Sequence, residues 1–89
     1  MSATPNPPTA RPDLEVNEVE DGLVIYDTAR DRVHYLDATA SIVFALCTGQ
    51  NTEDDMVAHL TAAFGQPAEE VAGPVGEALA RFRAEELVT

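Results

Sequence analysis

The residue types that carry chemistry are few in this chain of 89 residues: one cysteine (Cys47), two histidines (His34 and His59), and sixteen carboxylates against five arginines and no lysine. A metal site needs His, Cys or carboxylate ligands at short spacings, and neither histidine has a histidine or cysteine at such an offset. Asp54 and Asp55 follow Thr52-Glu53, where negative charge complements the amide end of a helix. No metal and no cofactor is expected. Cys47 lies in an apolar run without the positive charge that a reactive thiolate wants, and reads as a small buried hydrophobe. His34 has nothing at a fixed offset to orient it as a base and reads as a partly exposed strand residue. A Gly-x-Ser-x-Gly elbow and a phosphate-cradling glycine loop are both missing from the sequence, so catalysis is not expected.

The charge is more informative. A formal net charge of -11 repels phosphate backbones and anionic membrane surfaces, which argues against nucleic acid and membrane partners and leaves a protein or peptide. Apart from Arg11, the arginines form two clusters, Arg30 and Arg32 before a strand and Arg81 and Arg83 on the last helix. They can mark where acidic residues of a partner land. Equally, they can pair with the chain's own Asp31, Glu77 or Glu85, each exposed pair contributing only ~0 to 1 kcal/mol. Arg81 and Arg83 stand about 200° apart on an ideal helix, so at most one faces a given groove. A phosphopantetheine carrier is a poor fit, because that class has Asp followed directly by Ser, whereas Ala38-Thr39-Ala40 separates Asp37 from Ser41.

The elements that must position these residues follow from hydropathy. Residues 1–12 hold four of the six prolines and no hydrophobic face, and read as a disordered tail before a single domain over residues 13–89. Leu14, Val16 and Val19, interleaved with polar residues, suit an exposed edge strand. Glu20-Asp21-Gly22 is a turn. The continuous run Leu23-Val24-Ile25-Tyr26 predicts a central strand covered on both faces, and Val33 to Leu36 forms a third strand after the polar turn Asp27 to Arg32. Short connections favour an antiparallel meander.

Asp37 then caps a helix from Ala38 to about Cys47, apolar almost all the way round and ended by Gly49. Thr52 to Asp55 resembles a capping box and opens a helix with the stripe Met56, Val57, Leu60 and Phe64, ending at Gly65. The last helix lies within Ala68 to Leu87 and kinks or restarts near Gly73-Pro74. Val75, Ala78, Leu79 and Phe82 form its core stripe. A second line, Ala72, Gly76 and Ala80, fits tight helix packing slightly better than a ligand groove. Three strands followed by three helices make an α+β domain. A lone cysteine implies no intrachain disulfide, and no signal peptide or apolar span is legible, so the cytoplasm is the expected location.

Several stretches together resemble the PqqD-like proteins, also called RiPP recognition elements, which bind leader peptides of ribosomally made, post-translationally modified peptides. They are Gly22-Leu23-Val24-Ile25-Tyr26-Asp27; Val33-His34-Tyr35-Leu36-Asp37 with Ala40 and Ile42; Gly49 with Thr52; and Leu79, Phe82, Leu87 and Val88. The chain departs from the family's usual Asn at Asp37, Asp at Thr48 and Gly at Glu86. The resemblance implies a winged-helix-like fold whose third strand pairs with the leader as an added strand, with the third helix as the other wall. By position, the strand wall is Val33, His34 and Tyr35, and the helix wall is Val75, Gly76, Leu79, Ala80 and Arg83, with Arg30, Arg32 and Arg81 as an electrostatic flank. A core role competes for Val75 and Leu79.

Such a protein carries out no reaction of its own and needs no cofactor. It presents precursor to a modifying enzyme: a radical S-adenosylmethionine enzyme, a cyclase or a leader peptidase. It is expected as a monomer or weak homodimer. The alternative is an acidic winged-helix module for self-association or transcription-related interaction, which the carboxylates of the last helix oppose where duplex DNA is the partner.

Overall fold

Short polar turns leave consecutive strands no choice but to pair with their neighbours, and a computed structural model, which describes residues 7–88, has that topology. Strands β1 (Glu15–Val19), β2 (Gly22–Asp27) and β3 (Arg32–Leu36) form one antiparallel sheet in the order β1-β2-β3. Helices α1 (Ala38–Ala45), α2 (Glu53–Phe64) and α3 (Ala68–Ala84) follow. The fold is the expected α+β, winged-helix-like arrangement, with β3 at one sheet edge. Gly22 is required where the first turn enters β2, because a Cβ there would run into the Leu36 carbonyl.

The local signals work as physical chemistry dictates. Asp37 accepts the Ala40 amide at 2.9 Å and starts α1. Thr52 and Asp55 exchange side-chain and backbone hydrogen bonds in a capping box that starts α2, and Gly65 ends that helix with φ 64. α3 runs unbroken through Pro74. Proline removes the donor that the Glu70 carbonyl would have used, and both residues are exposed, so water can satisfy that carbonyl.

Three expectations need correction. β2 is not covered on both faces: Ile25 is buried but Tyr26 is 39% exposed, because all three helices occupy one side of the sheet. Gly49, with φ 86, does not end α1, which is capped at Leu46. Its amide instead donates to the Pro8 carbonyl at 3.0 Å. The tail also ends earlier than residue 12. Its first six residues lie outside the described residues, but Thr9 and Ala10 bridge to Thr48 and Val88. The Ala10 amide donates to the Cys47 carbonyl at 2.8 Å, and the Arg11 amide to the Leu87 carbonyl at 3.0 Å. Arg11 Nη1 reaches the buried Asp27 Oδ2 at 3.0 Å. Main-chain bonding and a buried carboxylate hold this segment, and neither leaves a hydrophobic period in the sequence.

The core centres on Phe82, fully buried and edge-on to Phe44 with ring centroids 5.5 Å apart. Ile25, Leu36, Val43, Met56, Leu60, Val75, Leu79 and Leu87 surround it. Phe82→Ala should therefore lower unfolding free energy by about 3–5 kcal/mol, and Gly22→Ala by about 1–3 kcal/mol through forced overlap, both measured by urea denaturation. Cys47 is buried, its thiol donates to the Val43 carbonyl at 3.2 Å, and desolvation pushes it up to about 11. Alkylation by iodoacetamide at pH 8 should be slow in the folded protein and fast once denaturant is added.

Candidate functional site

β3 has one neighbour, β2, and its other edge faces α3 across a gap. No Cα of β3 lies within 8 Å of a Cα of α3, whereas an added strand sits only about 4.7–4.9 Å from its partner. No main-chain hydrogen bond joins this rim to a further strand or loop among the described residues. The strand alternates as the pleat requires: His34 and Leu36 are buried on the helix side, while Val33 and Tyr35 are 61% and 50% exposed on the other face. Their register partners on β2 are Tyr26 and Val24, so that face carries a small apolar patch beside the open edge.

Beside the Leu36 end of this rim, one face of α3 forms a cleft with the start of α1. A cleft of about 390 Å³ is lined by Pro74, Glu77, Ala78 and Arg81 of α3, with Thr39 and Ala40 of α1. Asp37, the α1 cap, completes it. At about 100° per residue, positions 74, 77, 78, 81 and 85 fall within one third of the helix circumference. Val75, Leu79 and Phe82 point about a quarter-turn or more away, into the core, where none is exposed.

Long side chains cross the gap. At the Leu36 end, Arg81 Nη2 donates to the Tyr35 carbonyl at 3.0 Å. At the Arg32 end, Glu85 receives Arg32 at 3.5 Å and lies 3.4 Å from His34 Nδ1, and Glu86 receives Arg30 at 2.7 Å. The Arg30 guanidinium holds the Glu86 carboxyl below its usual range. The Tyr35 hydroxyl donates to Asp21 Oδ1 at 3.0 Å, and that bond raises its pKa above the ordinary phenol value.

The structure thus separates the residues that the sequence grouped. Val33, His34 and Tyr35 do lie along the rim, but His34 is only 5% exposed, not a partly exposed residue, because it sits on the helix face of the sheet against Glu85. Val75 and Leu79 are core. Gly76 faces α2, where a Cβ would lie 3.3 Å from Glu53 Oε2. Ala80 is exposed, and Arg83 has no ion pair or hydrogen bond among the described residues. The small-residue line therefore borders α2 and solvent, and the cleft wall is Pro74, Glu77, Ala78 and Arg81. Arg30 and Arg32 follow the self-pairing reading. The sequence signal for this cleft wall was available: once 75, 79 and 82 are taken as core, spacing 74, 78, 81 and 85 defines the neighbouring face, with Ala78 buried in the core as expected where the two faces meet.

No helix is long and apolar enough to cross a membrane, and no group of three or more His, Cys, Asp or Glu side chains could hold a metal, among the described residues.

The fold is similar to two solved structures. One is TbiB1 in complex with the TbiA(beta) leader peptide, at a TM-score of 0.77 and 16% identity, covering 90% of this chain and 93% of that one. The other is lasso peptide synthetase B1 complexed with the leader peptide, at 0.78 and 14%, covering 93% and 98%. No curated protein sequence matches the chain. The family model for coenzyme PQQ synthesis protein D (PqqD) matches residues 22–88, three-quarters of the sequence from the first turn through the last buried residue, and the chain belongs to the PqqD family.

Proposed function

We propose that this protein binds the leader segment of a ribosomal precursor peptide as a fourth strand on β3 and presents it to a modifying enzyme in RiPP biosynthesis. The observation that carries the reading is the open rim: β3 is an edge strand, and the main chain of α3 is too far away to pair with it, so among the described residues only the Arg81 side chain reaches a main-chain group there. An incoming strand satisfies them through backbone hydrogen bonds, and its side chains alternate. One set meets Val33, Tyr35 and Tyr26 on the outer face of the sheet, and the other enters the cleft toward Thr39, Glu77, Ala78 and Arg81. Family membership and the two leader-bound structures of like fold support the same reading.

Arg81 sits where the peptide must go. Its guanidinium donates to the Tyr35 carbonyl, an acceptor that a neighbouring strand's amide would use. Binding displaces it, and the freed charge is then available to a carboxylate of the leader. The chain contributes no reacting group of its own. Its effect is to raise the local concentration of precursor at a radical S-adenosylmethionine enzyme, a cyclase or a leader peptidase in the cytoplasm. A transcription-related or self-associating role is not favoured: Glu77 lines the cleft and Glu85 and Glu86 stand at the Arg32 end of the rim, which repels duplex DNA.

Two outcomes test this with the leader of a short precursor encoded beside the protein, titrated by fluorescence anisotropy. Methylating single backbone nitrogens along the leader should weaken binding by roughly ten-fold or more at every second residue, where an amide faces β3, and little at the residues between. Uniform loss, or none, contradicts strand addition. Arg81→Ala should weaken an acidic leader by roughly ten-fold and flatten the salt dependence, with thermal stability nearly unchanged.

A further inference from the structure

The molecule has a second open groove, at the other edge of the sheet, and the leader reading makes no use of it. Among the described residues β1 pairs with β2 alone: no Cα of β1 lies within 8 Å of a Cα of any helix, and all five of its residues are exposed. Val16 and Val19 are 48% and 40% exposed as a result. Between this overhanging hairpin and α1 lies a cleft of about 510 Å³, with Val19 and Leu23 on the hairpin side and Ala38, Ser41, Ile42 and Ala45 on the helix side.

The helix face is the telling part. Positions 38, 41, 42 and 45 repeat at helical spacing and form a single stripe on α1, opposite the stripe of Ala40, Val43 and Phe44 that the core buries. A helix that is apolar on every side belongs in the interior. Here one side is interior, and the other opens into the cleft with only Ser41 as a polar group. The rim is anionic. Glu18 and Glu20 line it and have no ion-pair or hydrogen-bond partner among the described residues, while Arg11, Arg30 and Arg32 pair with other carboxylates.

We infer that this groove, formed by the β1–β2 hairpin and the outer stripe of α1, is a second docking surface that takes an amphipathic segment of a partner protein bearing aliphatic side chains and Lys or Arg. Charge complementarity selects that occupant. The aliphatic stripe and floor accept its apolar side and the unpaired glutamates meet its cations, whereas a second copy of this chain has no lysine and, of its five arginines, only Arg83 without an ion pair or hydrogen bond among the described residues. The two grooves open at opposite sheet edges, so peptide and partner can be held together.

The test uses the full chain, isotopically labelled, with amide shifts followed by NMR as a synthetic Leu/Lys amphipathic helical peptide is added, and a Leu/Glu counterpart as control. The expected result is saturable shifts confined to Val19, Leu23, Ser41, Ile42 and Ala45 with the basic peptide and none with the acidic one. Ala45→Glu, at an exposed position checked by circular dichroism, should abolish those shifts. Glu18→Gln with Glu20→Gln, both exposed and without an ion-pair or hydrogen-bond partner among the described residues, should weaken binding roughly five- to ten-fold. Shifts scattered over the acidic surface, shifts on β3 instead, or none at the groove overturn the inference. So does a homodimer in sedimentation that Ala45→Glu dissociates, since a second copy would then be the occupant. Leader binding is read at residues 32–36 and this binding at α1 and the hairpin, so the two readings fail separately.

Discussion

Everything about the site depends on α1 standing between the sheet and α3. α1 packs against β2, β3, α2 and α3, and its Phe44 meets Phe82 of α3 edge-on in the centre of the core. With α1 as a wedge, α3 is fixed by its buried Val75, Leu79 and Phe82 at a distance from the sheet edge. It cannot close on β3 without emptying that core, and cavities of such size cost several kcal/mol, ~2–5 for a Leu and ~3–5 for a Phe. The gap is a by-product of good packing, so it stays open without any device to hold it.

An open sheet edge is a hazard that proteins ordinarily blunt with charge. Here the blunting is done by side chains that reach across: Arg81 to the Tyr35 carbonyl, Glu85 to Arg32 and His34, and Glu86 to Arg30. Exposed pairs of this kind contribute little to stability, so a peptide can displace them cheaply. The same contacts discourage a second copy from adding its own edge. The N-terminal segment is anchored beside the Arg32 end of the gap, with Arg11 on the buried Asp27 and on the Glu86 carbonyl and main-chain bonds to residues 47 and 87.

Most of the fold was legible because it rests on local chemistry. Asp37 and Thr52 announce helix starts and Gly65 announces a stop, each through groups within three or four residues, and Gly22 marks the turn although the carbonyl that requires it belongs to Leu36. What escaped was non-local. The anchoring of residues 8–11 depends on main-chain groups of residues 47, 49 and 87, and His34 is buried on the helix face of the sheet with Glu85, the cap of α3, against it. The helix wall was misread for a related reason. A stripe of core residues and a stripe of groove residues both repeat every three to four positions, and Val75, Leu79 and Phe82 can be told from Pro74, Ala78 and Arg81 only when the direction of the core is known.

Backbone amide hydrogen exchange, with and without the leader of the partner precursor, tests the central claim most directly. The account predicts new protection at alternate amides between Arg32 and Leu36, those directed away from β2, with β1 unchanged. A leader that binds tightly while the β3 amides exchange at their former rates, with protection appearing on β1 or the helices, would contradict it.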